Sequence, residues 1–258
     1  MSILAQPRDL AELAEIDPRV PPGTDERFSG YGVMGLPFSS GHVLALRRFP
    51  ASSLGYGYSS VWHRSPEGAW TFWSDVAPEA SCYRFFGAAV EEAASVPISV
   101  RWTGPRAMRV TVGGGIVDWE LTMRATPVTV AANAVSGILP ERMWRDRCVL
   151  EVMGKVAGPL LGVGRVNLTG RSPNGQTFLS NPLQIWLVAT SSAVVRGTSV
   201  GAPKPLPVQA VLGDFAIPQR GVFTIGRASF EVFDSRRHAA TVAHSRIAAA
   251  RSGFPQAS

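Results

Sequence analysis

Lysine is nearly missing from this chain of 258 residues. Its 25 basic residues include only Lys155 and Lys204 as lysines, so arginine supplies the other 23. Charge of either sign is scarce. Charged residues make up 17 %, below the roughly 25 % of ordinary soluble domains, while hydrophobic residues make up 45 %. That apolar content excludes a chain disordered throughout, which needs low hydrophobicity and high charge. Cysteine occurs twice, at Cys82 and Cys148. Two thiols make neither a disulfide framework nor a structural zinc set, and they read as small packing residues of a reducing compartment. No run of 18 apolar residues free of charge and proline occurs, so no transmembrane helix is expected. Residues 1–20 lack the basic start and apolar centre of a secretory signal, so the expected location is cytoplasmic.

Motifs with a stated mechanism are also missing. There is no phosphate-cradling Gly-rich loop with Lys, no Gly-x-Ser-x-Gly elbow, no paired-His metal motif and no dinucleotide fingerprint. The expected cofactor is none and the expected metal is none. The net charge is +6, yet the arginines are scattered. The densest groups are Arg142, Arg145 and Arg147, then Arg236, Arg237, Arg246 and Arg251. No basic run is interleaved with aromatics, so nucleic acid is not an expected partner.

What is present is alternation. Residues 1–36 read as a short helix and a loop, with Pro18, Pro21 and Pro22 ending the helix because proline cannot continue it. From His42 the apolar period becomes two. His42–Phe49, Tyr58–His63 and Trp70–Asp75 read as strands, and the last two are joined by Arg64-Ser-Pro-Glu-Gly68. Proline presets one φ of such a turn and glycine supplies the positive φ that closes it. Ile98–Thr103, Met108–Val112 and Val117–Arg124 place apolar side chains on one face and polar ones on the other. From about 128 to 163 the spacing turns helical, broken at Pro140 and near Gly158-Pro159. Strands resume at 165–169, 176–189, 193–196 and 221–233. A basic helical tail is expected over 234–258. Arg171-Ser-Pro-Asn-Gly175 echoes the earlier turn, as either two convergent hairpins or two similar β-halves. Short strands separated by Gly/Pro turns predict a mainly β fold: an antiparallel barrel, or two packed β-halves, over 37–233 with a helical insertion.

Several stretches carry a family likeness. They are the aromatic hairpins Tyr58-Ser-Ser-Val-Trp-His63 and Trp70-Thr-Phe-Trp73, the Trp102-Thr-Gly-Pro105 strand end, and Asp118-Trp-Glu-Leu121. Together they resemble the lipocalin-like proteins of the carotenoid hydratase (hydroxyneurosporene synthase) and AttH group, in the calycin class. The resemblance spans roughly residues 28–233 as a pattern, and the chain is shorter than many members. It implies an antiparallel barrel that accepts isoprenoid, polyketide or lipid-like molecules, some relatives being hydratases or cyclases.

The candidate chemistry follows from residue types. His63 and Asp75 end the two strands of one hairpin. On a cavity wall they would form an acid/base pair with shifted pKa values; on a solvated face, Tyr58, Trp62, Trp70 and Phe72 fill the core instead. Asp118 and Glu120, two apart on one strand, suit proton transfer to an alkene if burial keeps one protonated; otherwise they face solvent with Thr122 and Arg124. Arg84, between Tyr83 and Phe85, would grip a carboxylate or stack on a ring, or pair structurally with Glu79. Tyr58, Trp62, Trp73, Tyr83, Arg84, Trp102 and Trp119 are the candidate ligand contacts. His238 and His244 are expected to be solvated. The segment around Trp144, with its arginines, suits a cap on the barrel mouth, a packed helix or contact with a membrane surface. The expected partner is a hydrophobic small molecule held in a β interior. Three roles remain open: an enzyme performing hydration, isomerisation or cyclisation; a lipid or pigment carrier; and a structural protein with a filled core.

Overall fold

A computed structural model of the protein describes residues 5–238. It is mainly β, with one large curled sheet forming an open half-barrel and a few helices. The helices are α1 (Pro7–Ile16), α2 (Tyr83–Phe86), α3 (Pro127–Ile138) and α4 (Arg147–Leu161). The first half of the strands comprises β1 (Glu26–Pro37), β2 (Val43–Ser52), β3 (Tyr58–Arg64), β4 (Trp70–Ser74) and β5 (Glu92–Ser95). Then come β6 (Ile98–Gly104), β7 (Ala107–Val112), β8 (Val117–Arg124), β9 (Thr169–Arg171) and β10 (Thr177–Val195). The last are β11 (Thr198–Ser199), β12 (Val211–Leu212), β13 (Phe215–Ala216) and β14 (Val222–Phe230).

The main sheet runs β5-β4-β3-β2-β1-β14-β10-β8-β7-β6, with β9 and β11 attached to β10. Pairing is antiparallel apart from β4 with β5. β10 pairs with β14 along its first half and with β8 along its second, and the partners change over near Leu187. Register shifts interrupt it at Pro182–Gln184 and at Val188–Thr190. Two more shifts fall on β1, at Ser29–Tyr31 and Val33–Leu36. Each bulge adds a residue to one strand and bends it, and together they curl the sheet.

Glycine permits the bend at the centre. Gly30 on β1 and Gly226 on β14 are register partners. A Cβ on Gly30 would lie 2.0 Å from the Arg48 carbonyl oxygen, and one on Gly226 would lie 2.2 Å from that of Asn181. The curl brings distant strands face to face, so Trp102 on β6 meets Tyr31 on β1 and Phe223 on β14. Val61, Trp73, Val110, Trp119 and Leu121 are buried in this inner core. α1 closes one side of it through Ala11 and Leu10. Glu15 of that helix binds Arg48 through two hydrogen bonds of 2.8 and 2.7 Å and accepts a third from the Tyr31 hydroxyl.

A second core lies on the opposite face of the same strands. It gathers Phe28, Tyr58, Trp62, Phe72, Phe85, Phe86, Phe178 and Phe230. β2, β3 and β4 are therefore buried on both sides, whereas β6, β7 and β8 bury one face and show the other to water.

Two sequence expectations need correction. The loop expected up to residue 36 is in fact strand β1 from Glu26 onward, at the centre of the sheet; Gly30, Gly32 and Gly35 hide its alternation because they carry no side chain. The hollow expected inside the curl is occupied by the aromatic and aliphatic side chains of the inner core. The helical insertion and the strand assignments between 42 and 124 agree with the structure. The two echoed turns share one geometry. Ser65 and Ser172 each pair with the residue four positions on, at Ala69 and Gln176, and Gly68 and Gly175 both take positive φ. The expected tail helix lies outside the described residues beyond His238, as does His244.

Replacing Gly30 by alanine should destabilise the protein by about 3 kcal/mol, the upper end for overpacking, because the Arg48 carbonyl it would strike is main chain and cannot rotate away. Gly137→Ala, on an α3 position with nothing nearby, should instead add about 0.5–1 kcal/mol. Urea unfolding midpoints of the two variants should move in opposite directions.

Candidate functional site

The helical insertion forms one wall of a deep apolar cleft. α3 begins with a capping box in which the Thr126 hydroxyl accepts from the Thr129 N–H and the Thr129 hydroxyl accepts from the Thr126 N–H. Pro127 follows the cap, where its missing N–H costs nothing. α4 begins at Asp146, whose carboxylate accepts from the N–H groups of Cys148 and Val149, and it ends at the left-handed Gly162. Such ends define two separate rods with a break between them.

Each rod is anchored to something other than its neighbour. The Asn133 side chain of α3 donates to the Ile185 carbonyl at 3.1 Å and accepts from the Ile185 N–H at 2.8 Å. It completes the main-chain pairing of β10 just past the Pro182–Gln184 bulge. The Ser136 hydroxyl donates to the Leu183 carbonyl at 2.7 Å. α4 packs instead on the chain after it. A Cβ at Gly154 would meet the Val166 carbonyl oxygen at 2.6 Å, and one at Gly158 would meet that of Gly164 at 2.3 Å.

Between the rods and the sheet lies a cavity of about 710 Å³. Its walls include Val128, Ala132 and Leu139 of α3, Met153 and Leu161 of α4, and Ile185 of β10. Among the described residues no charged side chain lines it. Val135, Ile138, Val152, Val156 and Leu160 stay more than half exposed on the two helices.

Behind the cleft is a smaller chamber of about 60 Å³. Met34, Ser180, Pro182, Phe215 and Thr224 line both spaces, which adjoin there. Arg47, Trp62, Cys82 and Phe86 are among its other walls. Arg47 is buried. Its guanidinium donates to the carbonyls of Val33, Leu46 and Met34 at 2.7, 2.9 and 3.2 Å and lies 4.5 Å over the Trp62 ring. Burial lowers its pKa to about 10, so it stays charged at neutral pH. The nearby Tyr58 hydroxyl and Cys82 sulfur are 3.4 Å apart. Burial raises the pKa of both groups, which keeps them neutral.

The sequence-derived candidates fall in separate places. His63 is buried on β3 and stacks on Trp73. Its Nε2 lies 2.7 Å from Nδ1 of His42. Asp75 is exposed and accepts from the Ser59 N–H at 2.7 Å, so it belongs to the main chain of the hairpin rather than to His63. Asp118 and Glu120 lie on the outer face of β8, where Arg109 pairs with both. Arg84 binds Glu26, not Glu79, through two hydrogen bonds of 2.7 Å. Tyr83 is half-buried with its ring against Gly87. Trp73, Trp102 and Trp119 belong to the inner core, and the Trp119 N–H donates to the Ser191 hydroxyl. Tyr58 and Trp62 are on the other face, and Trp62 reaches the small chamber. His238 is buried rather than solvated, its Nδ1 accepting from the Asp234 N–H. Both lysines are exposed and line neither cavity. The sequence does not mark Arg47 as a site residue, because Arg47-Arg48 reads as an ordinary polar pair on a strand. Its place on the buried face, one step out of phase with Arg48, was the available signal.

No known family profile matches the chain, and no curated protein is similar to it. Among solved structures, acetoacetate decarboxylase from Legionella pneumophila aligns over 83 % of this chain and 89 % of its own, at 9 % identity and a TM-score of 0.32.

The His42–His63 pair makes stability depend on pH. Burial first, then the neighbouring His42 and Arg196, push the His63 pKa from 6.5 down to about 4. Between those values the unfolded chain binds a proton that the folded chain refuses, so stability rises with pH. Stability should therefore fall by up to about 3 kcal/mol as pH drops from 6.5 to 4, measured by urea unfolding. His63→Gln should flatten that slope.

Proposed function

We propose that this protein binds a hydrophobic small molecule in the cleft between α3, α4 and β10. The supporting observation is the cleft itself: about 710 Å³ with no charged side chain lining it among the described residues. That size lies in the range of small-molecule sites, and so large an apolar surface is costly to leave facing water. An isoprenoid, polyketide or lipid-like body, the class implied by the resemblance to the carotenoid hydratase and AttH group, is what such walls accept. The site lies outside the curl of the sheet, under the helical insertion.

A carrier or binding role is favoured over catalysis. Acid/base work needs two titratable groups converging on the ligand, and among the described residues no carboxylate or histidine lines the cleft or the chamber. The exposed valines, leucine and isoleucine on α3 and α4 form an apolar rim. We place peripheral membrane contact there, as the route by which a poorly soluble ligand enters.

Native mass spectrometry of the protein from its own host should reveal a bound apolar molecule that is released on denaturation. Ala132→Phe and Ala157→Phe, both on the cleft wall, should each weaken binding of an apolar fluorescent probe roughly tenfold or more, since lost contact area and steric exclusion together exceed 1.4 kcal/mol. Unchanged probe affinity in both folded variants would place the ligand elsewhere.

A further inference from the structure

The small chamber at the back of the cleft has a composition that an apolar ligand alone does not explain. We propose that it is an anion pocket and that the ligand is an amphipathic monocarboxylate, its apolar body in the cleft and its carboxylate on Arg47. This deepens the reading of the cleft as a hydrophobic-ligand site and rests on it.

The first support is the state of Arg47. A guanidinium carries five N–H donors, and three hydrogen bonds to main-chain carbonyls are present. No carboxylate pairs with it among the described residues. The acidic groups nearest to it, Tyr58 and Cys82, are held neutral by burial. A buried charge with no counter-charge is costly, and an anion in the chamber would offset that cost.

The second support is independent of charge. The Ser60 hydroxyl is buried with no hydrogen-bond partner, and the buried Trp62 indole N–H has only the Cys82 sulfur, a weak acceptor, beside it. Ser60 is the register partner of Arg47 across β2 and β3, and Trp62 follows on the same face. Buried polar groups normally find partners. Arg47 and Trp62 line the chamber, Ser60 lies on the same strand face without lining it, and the indole can only donate. A carboxylate supplies acceptors and nothing else.

Size and charge select the anion. A water needs roughly 10–15 Å³ of cavity, so about 60 Å³ suits a compact headgroup and not a ring system. Arg227 also lines the chamber, but Glu141 binds it at 3.0 Å. One uncommitted positive charge matches a monoanion better than a phosphate dianion. Two N–H groups of the arginine, on Nε and Nη2, are not used by the three carbonyls, and a guanidinium can give two such groups to the two oxygens of one carboxylate.

The test compares decanoate, decan-1-ol and decyl phosphate by isothermal titration calorimetry at pH 7.5, on the wild-type protein and on Arg47→Met. On the wild type, decanoate should bind roughly tenfold or more tighter than decanol, the scale of a charge-assisted hydrogen bond, and tighter than decyl phosphate. In Arg47→Met that preference should vanish while decanol affinity changes less than about threefold. Equal binding of acid and alcohol to the wild type would overturn the anion pocket and leave the apolar cleft standing. Binding of neither would overturn both. Tighter binding of the phosphate would overturn the carboxylate assignment. If Arg47→Met fails to fold, Arg47→Lys, which keeps the charge and loses the fork, should show a reduced acid preference; an undiminished one would remove the argument from the fork.

Discussion

The fold depends on one long strand being bent. β10 runs for 19 residues and is bonded to β14, β9, β8 and β11 in turn. A straight strand of that length would hold its partners in a flat sheet with two wet faces. The bulges at Pro182–Gln184 and Val188–Thr190 turn it, so that β6–β8 fold over β1–β4 and the inner core forms between them. The same turning exposes main-chain groups at Leu183 and Ile185 that a flat ladder would have paired. Asn133 and Ser136 of α3 satisfy them, so the helical insertion docks where the sheet is broken. A buried main-chain group without a partner is costly enough that this docking is a requirement of the bend.

The cleft follows from how the two helices are fixed. α3 is tied to β10 by hydrogen bonds, and α4 is drawn by Gly154 and Gly158 onto residues 164–168. Neither packs closely against the other along its length. Helices free to choose would close ridge into groove and fill the space with their own side chains. Here the anchors prevent that, and the lining residues Ala131, Ala132 and Ala157 are too small to fill it. The cavity is thus maintained by the polar and glycine contacts around it, while its own walls remain apolar.

The sequence disclosed the elements far better than the site. β6–β8 were legible because one face of each is wet, so Val117, Trp119, Leu121 and Met123 alternate with polar residues. The helical insertion was legible through its change of period. β1 was hidden because Gly30, Gly32 and Gly35 contribute no hydrophobic signal where the backbone comes close. The face of His63 and the face of Trp62 could not be told apart, because β3 is buried on both sides and hydrophobicity marks neither as outward. The aromatic residues that drew attention as ligand contacts are mostly packing: Trp73, Trp102 and Trp119 fill the curl. The cleft draws on Met34 of β1 and on residues from 127 to 224, from α3 to β14, and no local pattern announces a surface assembled from such distant pieces.

Arg47 and Arg48 are neighbours with opposite circumstances, and the contrast bears on why the chamber exists. Arg48 faces α1 and is matched by Glu15. Arg84, Arg109 and Arg227, all partly exposed, are matched by Glu26, Asp118 and Glu141. Stability alone calls for a counter-charge most urgently where water is absent, yet the most deeply buried of these cations has none. Three carbonyls and the Trp62 ring hold its plane in place without neutralising it. A purely structural core would fare better with an apolar residue of similar volume at that position. A local rule broken in the interior, next to a cavity and across from the unpartnered Ser60 hydroxyl, is the pattern expected where function rather than folding has set the residue.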